Sequence, residues 1–137
     1  MTTVEALEQD HAALRRELAD VEHVLTVPGT PDAAQATCRR LLKDLERHLR
    51  REEDVLAPYA GQVAGLLRSR ALRDYAPPRV VLGDLGTLFK VLRIVPTGLL
   101  VTHLCRLLEE LRESMADEEQ GVFPVVKHQE EAATVAP

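Results

Sequence analysis

Hydrophobic residues recur every three or four positions along most of the chain, which is the spacing of one face of an α-helix. The first stripe spans about residues 3–26, and the second runs from residue 31 to Pro58. A short helical piece is predicted over residues 66–73, a third helix over 79–94 and a fourth over about 100–127. No segment alternates apolar and polar residues as a strand does. The pattern therefore predicts an all-α, up-down-up-down four-helix bundle.

A chain of 137 residues is long enough to bury the core of one domain. We expect residues 1–127 to form that domain. The Ala-rich end, residues 128–137, is predicted to be a flexible tail.

A short acidic pattern occurs twice. Residues 48–53 read His-Leu-Arg-Arg-Glu-Glu and residues 114–119 read Ser-Met-Ala-Asp-Glu-Glu, and each glutamate pair is followed five residues later by a proline. We call residues 48–58 the first copy and residues 114–124 the second copy. In the first copy, His48 and Glu52 lie on one helix face, about 6 Å apart along the axis. Ser114 takes the place of His48 in the second copy.

Four polar residues fall on the stripes that face the core: His11, His48, Glu52 and Glu118. Counted from the turn that joins the first two helices, His11 and His48 lie at heights of roughly 23 and 26 Å. Glu118 takes the position of Glu52 in the second copy. Burying these charges costs several kcal/mol per ion unless a cation neutralises them. The set therefore favours a metal site over the competing interpretation of ordinary core histidines and surface glutamates.

Charge and composition argue against several other functions. A net charge of −5 argues against a nucleic-acid partner, which needs a basic patch. No apolar stretch is long enough for a membrane span, and the N-terminus does not resemble a signal peptide, so we expect a cytoplasmic protein without a membrane partner. Cys38 and Cys105 belong to no CxxC motif and are interpreted as reduced thiols.

With these residues in place, the sequence resembles the hemerythrin-like (HHE cation-binding) family over nearly its whole length. The matching pieces are residues 10–11, 48–58 and 117–124. The resemblance implies a four-helix bundle with a non-haem di-iron centre, which binds O₂ or related small molecules or serves in iron and oxygen sensing.

By that resemblance, His11, His48, Glu52 and Glu118 are retained metal ligands. The family also has histidines in helices three and four, where this chain has Leu85, Phe89 and Ser114. These losses remove the nitrogen ligands of one iron and leave those of the other. We therefore expect a mononuclear site, favoured over a di-iron one, that holds non-haem iron, with Mn or Zn as alternatives.

The three replacement residues, Leu85, Phe89 and Ser114, are predicted to line a pocket beside the remaining metal. Gly83 and Gly86 would widen that pocket or, alternatively, let helix three pack closely on a neighbour.

Other polar residues receive smaller roles. Asp84 is placed on the outer flank of helix three, with replacement of a missing ligand as the alternative. His103 lies about 16 Å along the helix from Ser114, too far to share the ion. Glu53 and Glu119 are expected to face solvent or to support the ligands, and His23 and His128 are expected to be exposed. These positions are inferred from the spacing of the apolar residues.

Three functions follow. The preferred one is binding or sensing of O₂, NO or another small molecule at the altered iron site. The second is a diverged enzyme, an oxidoreductase or lyase that acts on a small apolar substrate in the vacated pocket. The third is a metal-free interaction domain. Whether the chain is catalytic, and its oligomeric state, are left open by the sequence.

Overall fold

The computed structural model describes residues 3–26, 31–63, 65, 77–94 and 98–135. Its long helices are α1 (Thr3–Thr26), α2 (Pro31–Leu56), α3 (Pro78–Ile94) and α4 (Gly98–Asp117). A 3-10 turn, Ala57–Tyr59, follows α2, and a π-helical turn, Glu118–Val122, joins α4 to α5 (Phe123–Val135). The predicted helical piece over residues 66–73 lies outside the described residues.

The helices pack as a closed ring. α1 contacts α2, α2 contacts α3, α3 contacts α4, and α4 returns to α1. The described part of the chain contains no strand. The predicted all-α, up-down-up-down bundle is therefore confirmed. None of the helices in that part is both long and apolar enough to cross a lipid bilayer.

Two prolines mark the places where helices change. Pro58 lies in the first turn of the 3-10 segment, directly after α2. It has no backbone N–H to donate to α2, so the α-helical hydrogen-bond pattern cannot continue through it. Pro124 lies within α5, just after the π-helical turn. In an α-helix its ring would clash with the carbonyl four residues earlier. In the wider turn, the N–H of Phe123 donates to the carbonyl of Glu118, five residues back, which makes room for the ring.

In the fourth helix, the spacing of three and four residues predicts that His103 faces the core together with Leu107 and Leu111. This prediction is wrong, because His103 is exposed and the buried positions of this turn are Leu104, Leu107 and Leu108. The buried face of α4 is therefore wider than the face that a spacing of three and four residues predicts, because α4 packs against both α1 and α3.

The end of the chain also differs from the expected boundary. The helix continues past Lys127 to Val135, so the segment predicted as a tail is helical up to that residue. Val126 is fully buried, and Lys127 lies 3.8 Å from Glu5 of α1. The start of α5 thus packs against the beginning of α1.

The buried side chains form two apolar clusters. The larger cluster contains most of the core leucines, including Leu14, Leu45, Leu49 and Leu111, together with Met115. The smaller cluster lies at the other end of the site and consists of Val4, Leu7, Val63, Val122, Phe123 and Val126. Full burial of one such aliphatic side chain contributes about 1.5–3 kcal/mol to stability. The four predicted site residues separate the two clusters.

Candidate metal centre

The polar site is a layer between the two apolar clusters. Along α1, His11 lies between Leu7 of the smaller cluster and Leu14 of the larger one. Glu52 on α2 and Glu118 in the π-helical turn also lie between residues of the larger cluster and residues of the smaller one. The four side chains are buried, with exposed fractions of 0 % for His11, 4 % for His48, 8 % for Glu52 and 2 % for Glu118.

The four residues converge on one point. His11 Nε2 lies 3.0 Å from His48 Nε2, and His48 Nε2 lies 3.0 Å from Glu52 Oε2. Glu118 Oε2 is 3.5 Å from His11 Nε2, and one donor atom from each residue lies within 4.8 Å of the others. The structure therefore brings together the residues that the stripes and the second copy had placed in one layer.

This donor set suits a first-row metal ion. Two ligands on opposite sides of such an ion are separated by roughly 4.2 Å, twice a bond of about 2.1 Å. The three separations from His11 and the one between His48 and Glu52, 3.0 to 4.0 Å, fall below that limit, and the whole set lies within 4.8 Å. Imidazole nitrogen and carboxylate oxygen are the ligands that iron, manganese and zinc accept in proteins. The residues present therefore fit a metal.

The charges of the site call for a cation. Burial alone would lower the pKa of His11, but hydrogen bonds and charge from Glu118 and Glu52 outweigh it and raise that pKa to about 9. Burial would likewise raise the pKa of Glu52, yet hydrogen bonds from His11 and His48 hold it well below its usual range. Both buried carboxyl groups therefore favour a positive partner, which a bound metal or a proton on His11 supplies.

The π-helical turn positions the second copy. It places Glu118 at the centre and its neighbour Glu119 beside His11, with Glu119 Oε2 3.4 Å from His11 Nδ1. Phe123, just past the turn, packs against the His11 ring at a centroid distance of 5.1 Å. Five-residue turns of this kind occur frequently at functional sites.

A comparison with known families matches the hemerythrin HHE cation-binding domain over residues 2–93. That range is more than half of the chain. The chain belongs to the hemerythrin HHE cation-binding family. No curated protein and no solved structure matches it.

Within this hemerythrin domain, the matched range covers α1, α2 and most of α3, with His11, His48 and Glu52. Glu118 lies beyond the match. Its place in the cluster therefore rests on the second copy and on the geometry described above.

Leu85 and Phe89 of α3 are part of the apolar core. They have exposed fractions of 0 % and 7 % and belong to the larger cluster. In the second copy, the hydroxyl of Ser114 donates to Glu118 Oε1 at 3.4 Å. Asp84 and His103 are exposed and are not members of the described donor cluster, and His23 and His128 are exposed as expected.

A cavity of about 20 Å³ is lined in part by the four residues of the hemerythrin donor set, His11, His48, Glu52 and Glu118, and it differs from the predicted pocket. Ser114 lines it, whereas Leu85 and Phe89 do not, because their side chains are packed into the core. Its walls come mainly from α1, α2 and α4: Leu14, Leu18, Leu41, Leu45, Leu49, Leu111 and Met115. Gly83 and Gly86 do not line it either. A Cβ at either glycine would meet no atom within 4 Å, so close packing of α3 against the described residues does not explain them.

Three residues near the histidines were missed by sequence reasoning. Asp10 was noted only as the neighbour of His11, yet its carboxylate contacts His48. Arg15 and Arg51 hold the carboxylates beside the two histidines. A signal was present, since Arg15 lies four residues after His11 and Arg51 three after His48, the spacings that place two side chains on one helix face.

Proposed function

We propose that this hemerythrin-family protein binds one non-haem iron ion through His11, His48, Glu52 and Glu118, and uses it to bind or sense O₂, NO or a related diatomic molecule. The supporting observation is the convergence of two imidazole nitrogens and two carboxylates in a buried layer. A cytoplasmic location is part of the same proposal.

The second copy supports a mononuclear site over a di-iron one. Ser114 donates a hydrogen bond to one oxygen of Glu118, while the other oxygen faces His11. Leu85 and Phe89 supply no ligand atom. The side chains that resemblance assigns to a second iron are thus a hydroxyl, which is a poor substitute for imidazole, and two hydrocarbon groups.

Iron is preferred over manganese and zinc because two histidines with a carboxylate form the ligand set that holds non-haem Fe(II) and leaves positions open. Bound iron would supply an open coordination position and the capacity to exchange one electron. The chain holds and orients the ion, excludes water with leucine side chains, and keeps the donor atoms away from solvent.

The cavity favours a diatomic ligand over a larger substrate. A water-sized molecule needs about 10–15 Å³ of such space, and the cavity of about 20 Å³ is lined by the donor residues themselves. This space must hold the ion as well, so a diatomic ligand beside the ion needs less expansion than an organic substrate does. The leucine walls of the cavity favour an apolar guest. The alternative function, an enzyme acting on a small organic substrate, shares the apolar walls but requires the cavity to expand.

Metal analysis of protein purified without chelator tests the proposal. We expect about one iron per chain, and less than a tenth of that in His11→Ala and Glu118→Ala. His103→Ala, which removes an exposed histidine of α4, is the matched control and should retain the metal. Addition of NO to the anaerobic Fe(II) protein should change its visible absorption at one equivalent. Two irons per chain would contradict the mononuclear site, and no metal would favour an interaction domain.

A further inference from the structure

Each central histidine has its outer ring nitrogen next to a carboxylate from a neighbouring helix. His48 Nδ1 on α2 lies 3.1 Å from Asp10 Oδ2 on α1. His11 Nδ1 on α1 lies 3.4 Å from Glu119 Oε2 in the π-helical turn. Both carboxylates are half-buried, with exposed side-chain fractions of 25 % for Asp10 and 26 % for Glu119. Neither is needed to complete the donor set.

An arginine fixes each of these carboxylates. Arg51 Nη1 donates to Asp10 Oδ1 at 3.0 Å, and Arg15 Nη1 donates to Glu119 Oε2 at 2.9 Å. Each arginine lies one turn after the histidine on the same helix. The histidine and arginine of one helix therefore approach the same carboxylate on a neighbouring element, closely enough for a histidine hydrogen bond in the His48–Asp10 pair.

Because a guanidinium group can only donate hydrogen bonds, the oxygens of Asp10 and Glu119 act as acceptors in these contacts. An ionised carboxylate only accepts hydrogen bonds, so a ring nitrogen that bonds to it must carry the hydrogen. With the hydrogen on Nδ1, the neutral imidazole presents the lone pair of Nε2, which in both residues points to the centre.

We propose that Asp10 and Glu119, each held by an arginine, are positioning residues that set the ring orientation and the tautomer of His48 and His11 for metal binding. The inference rests on the proposed function, because it concerns the same site. Outer carboxylates of this kind raise the basicity of a ligating histidine, and their loss costs typically 10- to 100-fold in metal affinity.

The two pairs are unequal. The separation of 3.1 Å between His48 and Asp10 is within the normal range of an N–H···O hydrogen bond, whereas 3.4 Å between His11 and Glu119 is longer than that range. Asp10 therefore has the larger role, and removal of Glu119 has the smaller effect on affinity.

The first test measures Zn(II) affinity by competition with a chelator, with far-UV circular dichroism as the check on folding. We expect Asp10→Ala to lower affinity by about 10- to 100-fold. Asp10→Asn should recover part of the loss, because its carbonyl still accepts from Nδ1. Glu53→Ala is the matched control: it removes an exposed acid beside a proposed ligand, paired with Arg79 and away from both histidines. Wild-type affinity in Asp10→Ala, or an equal loss in Glu53→Ala, overturns the proposal.

The second test needs no metal and therefore separates this inference from the proposed function. In nitrogen-15 NMR spectra of the metal-free protein, His48 should show a slowly exchanging hydrogen on Nδ1, whether or not Nε2 is also protonated. Asp10→Ala should abolish that resonance, and Asp10→Asn should retain it. If the wild type lacks the resonance, or if Asp10→Ala retains it, Asp10 does not position His48. Failure to bind iron, with the NMR result as expected, would contradict the proposed function alone.

Discussion

The two copies of the acidic pattern have the same spacing but build different local structures. In the first copy, α2 ends before Pro58, Glu52 turns to the centre, and Glu53 points outward to Arg79. In the second copy, the helix continues past Pro124 through the π-helical turn, and both Glu118 and Glu119 approach His11. The first copy therefore supplies a histidine and a carboxylate to the donor set, and the second supplies a carboxylate and a supporting acid.

The comparison teaches that a repeated motif does not repeat a ligand set. The proline that follows each glutamate pair is accommodated by a tight turn in one copy and by a wide turn in the other. Glu53 lies in the regular helix α2 and faces solvent, whereas Glu119 lies inside the wide turn and faces the site.

The largest expected effect on metal affinity is the difference between variants at the first residue of each copy, His48 and Ser114. His48→Ala should lower Fe(II) affinity by more than about 100-fold, since loss of a ligand exceeds the cost of losing an outer partner. Ser114→Ala should leave affinity within a few-fold of wild type, because it removes a hydrogen bond to Glu118 but no ligand of the proposed ion. Anaerobic competition titrations would measure both. Equal losses in the two variants would mean that Ser114 is itself a ligand.

Introducing a histidine at the first position of the second copy should not create a site for a second metal ion. Ser114 has an exposed fraction of 1 %, so the larger side chain of Ser114→His overpacks the core and should cost about 1–3 kcal/mol of unfolding free energy. Iron should remain at one per chain, because Leu85 and Phe89 offer no ligand. Urea unfolding and metal analysis check both statements. Two irons in this single variant would show that the apolar residues of α3 do not prevent a second ion.

The two prolines offer a subtler test. In Pro124→Ala, the restored N–H and the absent ring let the π-helical turn relax to an ordinary α-helix, which rotates Glu118 and Glu119 relative to His11. We expect metal affinity to fall about tenfold, or about 1.4 kcal/mol, without loss of helix content. Pro58→Ala, beyond Glu52 and in an exposed turn, should bind metal normally. Calorimetric titration would distinguish the two variants, and unchanged binding in Pro124→Ala would show that the wide turn is not required.

The smallest effect concerns the metal-free protein. The folded state raises the pKa of His11 from 6.5 to about 9, against the opposing effect of burial, so it holds the proton more tightly than the unfolded chain. This contribution to stability is fully present below pH 6.5 and is lost as the pH rises through 9. Because Glu118 raises the pKa more than Glu52 does, Glu118→Gln should lower it further than Glu52→Gln. An NMR titration of His11 would reveal the opposite order if the first copy dominates.

Much of the fold was predictable because the apolar stripes are long and separated by prolines. The helix bounds agree within a few residues except at the C-terminal end, where the helix continues to Val135. His11 and His48 meet because their heights above a shared turn depend only on the rise per residue. The cross-helix contacts of Asp10 and Glu119 were harder to predict. They depend on helix rotation and, for Glu119, on a π-helical turn that the spacing of the second copy does not reveal.

The pocket could not be predicted from the same reasoning. Replacement of histidine by Leu85 and Phe89 suggested empty space, but hydrocarbon side chains fill the space they occupy and join the core. The cavity instead lies among the leucines of α1, α2 and α4, where side-chain shapes rather than residue types decide the packing.

The polar layer divides the interior of the bundle into two hydrophobic compartments, and α1, α2 and the chain from α4 into α5 pass through it. The two compartments share few apolar contacts across this boundary. The interactions that connect them are therefore those of the four polar side chains with one another and with a bound metal ion or proton. Occupancy of a single site would thereby govern how cooperatively the two ends of the molecule unfold. A protein organised in this way reports the state of its centre through the rigidity of its whole length.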